Sequence, residues 1–380
     1  MRIFDRRALR RTTWRHWLVA VMLAIVGLIA GEYPWLTSVR HVAYAIVQKA
    51  IQRPDADIVV VLIGDDEYNG PRLQNRVPLR RDYLADLITK IRAGNPRAIA
   101  VDVDLHSPDP ARAMIQPDYV AETTKFFNAL RGSADASCPI FLAATMRWDA
   151  KQNHYLQLAN IFDNEPLGAH VHKGYILLPV DIRHIPPPLK TVGGSLNSLS
   201  GRMAEVTRHR GLKLPTEEHP LFAVFRRPSS FETHYAADVL GADNDKVIDW
   251  FAHQYVFVGG DWSKDGDRNG PHIDDHATPA GNIAGVFVHA NYLQSLIGGP
   301  IGALSEFTRD LIEVVAALAV SFLFVAARGI WKFVFIVVVN VGLVVLTYTF
   351  LDVLGVFFEA VVPITLLGGH VIVEAVLDRR

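Results

Sequence analysis

Four aspartates, Asp65, Asp66, Asp102 and Asp104, fall at or just past the ends of two apolar runs, DIVVVLIG from Asp57 to Gly64 and AIAVDVD from Ala98 to Asp104. Carboxylates at the carboxyl ends of buried strands are placed where open α/β sheets put their ligand sites, and there they bind a cation or a cationic ligand. They serve equally well to cap loops, accept from backbone amides or pair with Arg81. A second acidic stretch, GGDWSKDGDRNGPHIDDHATPAG over 259–281, holds His272, Asp274, Asp275 and His276. Imidazole and carboxylate ligate zinc or manganese, but this spacing matches no recognised metal site, so no metal is expected there. An exported metal-dependent hydrolase using His272, Asp275 and His276 stays as an alternative. Gly-x-Ser-x-Gly is absent, as is a phosphate-binding glycine-rich loop with lysine, and Cys138 has no evident partner. A binding protein without a cofactor is expected rather than an enzyme.

The elements that must carry these residues read as α/β. A continuous β-branched run ending at Asp65 is the pattern of a strand buried on both faces. Tyr83, Leu84, Leu87, Ile88 and Ile91 recur at helical spacing over Arg81 to Ala93, between Pro78 and Gly94. A strand over Ala98 to Asp104 follows, and strand, helix and strand in that order make a parallel pair with a crossover. Further strands are expected at Ile140 to Met146, Tyr175 to Val180, Leu221 to Phe225 and Tyr255 to Gly259, with helices near Asp118 to Leu130 and Gly285 to Ile297. The expected fold is a mostly parallel sheet with flanking helices. Gly168 to Leu214, rich in Gly, Pro and Ser, reads as an irregular insertion.

The ends of the chain read differently. Residues 17–36, 308–327, 330–351 and 353–373 are apolar stretches near the length that crosses a bilayer. Arg2, Arg6, Arg7, Arg10, Arg11 and Arg15 precede the first, Arg328 and Lys332 mark the turn between the second and third, and Arg379 and Arg380 close the chain. Four spans put all three basic sites on one side, and cations are retained in the cytoplasm. Residues 1–16 and 374–380 are therefore expected inside and 37–307 outside, in a multi-pass protein of the cell or inner membrane whose large domain is periplasmic or on the cell surface. A turn at Asp352, also outside, is expected between the last two spans. The lipid bilayer is one partner. With 38 Lys plus Arg against 39 Asp plus Glu, a nucleic acid is not expected as another. Self-association into a homo-oligomer is left open, and the single cysteine excludes an internal disulfide.

Three stretches together resemble the type-two CHASE domain, an extracytoplasmic sensor module of membrane receptors. They are VVVLIGDD from Val59 to Asp66, PLRRDYLADLITKIRAGNPRAIAVDVDL from Pro78, and a third made of Tyr255 to Gly259, DHATP from Asp275 to Pro279 and GVFVHAN from Gly285 to Asn291. On this match Arg81 takes the place of the motif arginine and Asp102 of the strand aspartate. The resemblance implies an unknown extracytoplasmic ligand, for which Asp65, Asp66, Arg81, Asp102, Asp275, Thr278 and His289 are the candidate contacts. It also implies one membrane helix before the domain and three after it. Members of that family usually continue into a cytoplasmic cyclase or kinase, whereas this sequence ends at Arg380, so signalling is expected to pass to a separate cytoplasmic or membrane partner. A membrane assembly or docking subunit without a small-molecule ligand is the other alternative.

Overall fold

The structure, a computed structural model, describes residues 34–49, 57–106, 118–132, 138–151, 154–191, 194–207, 212–263, 272–305 and 330–357, with 307, 308, 311, 312 and 315 between the last two ranges. It divides into two compact units, one of residues 53–217 and 223–300, the other of 1–52, 218–222 and 301–380.

The first unit is built on a sheet of six strands: β1 (Ile58–Gly64), β2 (Ala98–Asp102), β3 (Ile140–Ala144), β4 (Val171–Tyr175), β5 (Glu232–Tyr235) and β6 (Tyr255–Asp261). Their spatial order is β5-β1-β6-β2-β3-β4, and every neighbouring pair is parallel. All residues of β1 and β3 are buried, as the β-branched and apolar runs require when helices cover both faces. Helices α1 (Arg81–Ala93), α2 (Tyr119–Arg131), α4 (Ala236–Gly241) and α5 (Asn244–Phe251) cover one face, and α3 (Leu199–Val206) and α6 (Gly285–Gly298) the other. Val59, Val61, Ile63, Val101, Leu142 and Val258 point to the first face, where Leu84, Leu87, Ile88, Ile91, Phe126 and Val247 meet them. Helix α6 is buried from Gly285 to Leu296, so it is a core element.

The close approach of α6 depends on one glycine. A Cβ on Gly259 would lie 2.6 Å from Cβ of Val286, closer than real side chains come. Gly259→Ala is expected to destabilise this unit by about 1–3 kcal/mol through overpacking. Denaturant unfolding checks this, and a variant as stable as the parent would show that α6 shifts freely.

Several expectations need correction. The fourth strand ends at Tyr175 instead of starting there. Val-His-Lys-Gly-Tyr at the sheet edge buries only Gly174 and Tyr175 and so needs no apolar run, while the apolar 176–180 that follows forms no strand. Residues 168–214 thus contribute β4 and α3 to the core as well as irregular chain. Only Leu221–Phe222 of the expected 221–225 strand is extended in a ladder, and it belongs to the second unit. Strand β2 stops at Asp102, leaving Asp104 in the loop beyond. Met146 opens a separate strand, Met146–Asp149, in a small four-stranded sheet.

In the second unit, Leu221–Phe222, Ile301–Ala303 and Val356–Phe357 form a three-stranded sheet. Tyr44, on the helix Pro34–Gln48, packs against it with ring centroids 5.4 Å from Phe222 and 4.9 Å from Phe357. Ile330–Leu354, which takes in the apolar stretch 330–351, is a continuous helix of 25 residues. It runs through Asp352, where a turn was expected, and ends before Gly355, whose φ of 63° only glycine adopts freely. Among the described residues no helix is long and apolar enough to cross a membrane. Residues 17–33, 316–329 and 358–373, which carry most of the other expected spans, lie outside the described residues.

Candidate functional site

The parallel strands all deliver their carboxyl ends to one edge of the sheet, and β6 lies between β1 and β2. Gly64 of β1 stands level with Asp261 of β6, and Gly259 of β6 level with Asp102 of β2. Beyond this edge a hairpin of β7 (Asp275–Thr278) and β8 (Gly281–Ala284) leads directly into α6.

A cleft of about 600 Å³ opens past the ends of β5, β1 and β6. Leu62, Phe231, Ile283, Ala284 and Phe287 form its apolar lining, Thr233 and Tyr235 come from β5, and Asp261, His272, Asp275 and Asn282 supply polar groups. His272 Nδ1 lies 2.6 Å from Asp261 Oδ1, and the His272 amide donates to Asp275 Oδ2 at 3.2 Å. Burial disfavours charge on His272. The Asp261 hydrogen bond and the charges of Asp261, Asp275 and Asp65 outweigh it and raise the imidazole pKa above its ordinary value. Asp65 Oδ1 accepts from both the amide and the hydroxyl of Ser263, each at 2.8 Å, which fixes the chain leaving β6.

The other side of the hairpin faces a second group. Asp102, on the α6 face of the sheet, has Oδ1 3.9 Å from Nε2 of His289, and the two side chains are only 7% and 2% exposed. Burial, then the charge of Asp274, pushes the Asp102 carboxyl up to about 8. Burial likewise holds His289 down at about 4, against the pull of Asp274. His276 Nε2 bonds Asp274 Oδ1 at 2.8 Å, and a Cβ on Gly285 would strike Asp274 Oδ2 at 2.0 Å, so that carboxylate lies against the first turn of α6.

The candidate contacts thus separate. Asp65 and Asp275 come together around His272, and Asp102 and His289 form the buried pair. Thr278 accepts from the Ala280 amide and donates to the Gly281 carbonyl, which makes it the turn residue of the hairpin. Asp66 is exposed. Arg81 belongs to a different contact: 2% exposed, it donates from Nη1 to Thr123 Oγ1 at 2.9 Å and lies 4.2 Å from the Tyr119 ring centroid, tying α1 to α2. Asp104 accepts from Thr145 Oγ1 at 2.6 Å and from the His106 amide at 3.1 Å, holding a loop.

Among the described residues no group of three His, Cys, Asp or Glu is arranged to hold a metal ion. His272 and His276, joined in the hydrolase alternative, engage different carboxylates, Asp261 and Asp274. The site residues that sequence reasoning passed over are Asp261, Phe231 and Tyr235. Asp261 was within reach of the same rule that singled out Asp65 and Asp102, since it ends the strand begun at Tyr255. The polar strand Glu232–Tyr235 carries no such signal.

No curated protein and no solved structure matches the chain. The family model of the CHASE2 domain matches residues 19–327. That match covers more than half of the sequence, and it spans both strand-end aspartates, the hairpin and α6. The chain belongs to the CHASE2 domain family, a family of extracytoplasmic sensor domains rather than of enzymes.

Proposed function

We propose that the protein is a membrane-anchored extracytoplasmic sensor. The cleft past β5, β1 and β6 takes up a small ligand, α6 carries the change toward the membrane helices, and a separate partner reads it. The carrying observation is the position of the cleft, at the carboxyl edge of a parallel sheet, with an apolar floor and a few convergent polar groups. Helix α6 is suited to the relay because its first turn lines the cleft through Phe287 and its end leads in the chain to the strand Ile301–Ala303, which pairs with Val356–Phe357. The topology in this reading follows the basic residues: both termini inside, four spans, and the α/β unit outside.

A ligand that binds only the folded state raises its melting point by mass action, about 2.7 kcal/mol at a hundredfold excess over Kd. A thermal-shift screen of small molecules on the full chain in detergent is expected to find compounds that stabilise it and lose that effect in Phe287→Ala. If no compound stabilises the protein, a docking subunit without a small ligand becomes the better description. In spheroplasts, protease is expected to cut a tag inserted near residue 190 and to spare tags at both termini; the reverse pattern would overturn the topology.

A further inference from the structure

The polar chemistry of the cleft is lopsided. Asp261 uses Oδ1 and Asp275 uses Oδ2 to engage His272, which leaves Asp261 Oδ2 and Asp275 Oδ1 without a partner among the described residues. Among the described residues no lysine or arginine lines the cleft, and Asp65 adds a further carboxylate to the surroundings of His272. One imidazole therefore faces three acids. The same cleft is aromatic: Phe231 and Phe287 have ring centroids 6.0 Å apart, and the half-exposed Tyr235 ring lies over the end of β1, within 3.0 Å of where a Cβ on Gly64 would stand. Carboxylate oxygens beside aromatic faces in an apolar hollow match an ammonium group on an apolar body, since both the charge and the ring quadrupoles attract it. Among the described residues an anionic ligand would meet two carboxylates and no fixed cation.

We infer that the ligand of this cleft is a small organic cation, its ammonium group held between Asp261 and Asp275 and its apolar part against Phe231, Phe287 and Tyr235. The inference rests on the reading of the cleft as the sensor's ligand site. It also sets a pH dependence. His272 is faced by Asp261 from β6, Asp275 from β7 and Asp65 from the end of β1. Protonation of His272 places a positive charge beside the ammonium position, so affinity is expected to rise as pH rises through the His272 titration.

The test uses the full chain in detergent and matched probes: phenethylamine, benzyltrimethylammonium and putrescine as cations, 2-phenylethanol as the neutral match and phenylacetate as the anionic one. Titration calorimetry and thermal shift are expected to detect binding of at least one cation, weakened roughly tenfold or more in Asp275→Asn, the loss of one charge-assisted contact. Asp275 is exposed, so this variant is expected to fold, and its unliganded melting curve checks that. Phenylacetate or 2-phenylethanol binding as tightly as phenethylamine, with sensitivity to Phe287→Ala, would overturn the cation assignment and leave the cleft as the ligand site. Cation binding that survives both Asp275→Asn and Phe287→Ala would place the ligand elsewhere and overturn both. Binding of none of the three cations sinks the assignment outright.

Discussion

Between pH 6.5 and 8 the folded protein is expected to lose about 2 kcal/mol of stability through the Asp102–His289 pair alone, at up to roughly 1.4 kcal/mol per pH unit. In the folded state burial keeps a proton on Asp102 up to about pH 8, whereas an unfolded chain releases it near 3.8. Burial strips His289 of its proton by about pH 4, whereas the unfolded chain holds it to 6.5. From 4 to 6.5 both states therefore carry one proton on this pair, and stability does not change on its account. From 6.5 to 8 only the folded state carries one, so raising the pH favours unfolding. The balance does not depend on which of the two holds the proton, because the coupled pair titrates as a unit. Asp102→Asn reverses the pattern, with stability rising from pH 4 to 6.5, where the unfolded chain holds a His289 proton that the folded one lacks, and this contribution level above that. Denaturant unfolding across pH 4 to 9 compares the two proteins, and parallel curves between 6.5 and 8 would remove the buried pair as a titrating unit.

Replacing Glu122 by glutamine is expected to cost about 3–5 kcal/mol, the loss that follows when one partner of a buried ion pair is removed. The Glu122 side chain is 3% exposed and accepts both terminal nitrogens of Arg76, with Nη1 to Oε1 at 2.7 Å. Arg80 Nε stands 3.6 Å from the same carboxylate. The buried Arg81 beside them has Nη2 without a partner, and desolvation lowers its pKa while the Glu122 charge supports it. Glu122 is thus the one buried acid among three arginines that join α1, its preceding loop and α2. Glu122→Gln leaves the buried Arg81 and the partly buried Arg76 underbalanced, while Arg80 keeps its two bonds to Asp82, and Arg76→Met in the same chain is expected to recover part of the loss. A single-variant loss below about 1 kcal/mol, of the size usual for exposed pairs, would mean that water reaches this cluster. The expected failure is one of folding: ligand response per folded molecule should be retained, which separates Arg81 and its neighbours from the cleft residues.

Parts of this molecule were legible from local pattern. The run from Ile58 to Gly64, the helix Arg81–Ala93 and the helix beginning at Gly285 lie where β-branched continuity and helical spacing put them. Each reports a property of neighbours in the chain, the alternation or recurrence of apolar side chains. Strand β5 left no such trace, because Glu-Thr-His-Tyr at a sheet edge has one side open to water and needs no apolar run. The start of β4 was misplaced for a related reason, since the apolar residues after Tyr175 are buried only in part and outside the ladder.

The carboxylates at strand ends could be found by reading along the chain, and Asp65 and Asp102 proved to stand at the carboxyl edge, while Asp275, singled out in the acidic stretch 259–281, opens the hairpin beyond it. Their division into two groups could not. It follows from β6 entering between β1 and β2, and from the hairpin turning Asp275 toward His272 while Asp274 and His276 act on Asp102 and His289. Strand order and facing are settled by which distant surfaces bury each other, and the Asp102 carboxyl is pushed up to about 8 by the burial and the Asp274 charge that this packing brings to it. Composition and local period set the kind of elements and the stretches that carry them, since those depend on a few adjacent side chains, while several ends, such as those of β2 and β4, were decided by packing. Long-range packing assigned Arg81 to a helix contact and Asp261 to a cleft, because partners far apart in sequence meet only when the sheet has assembled.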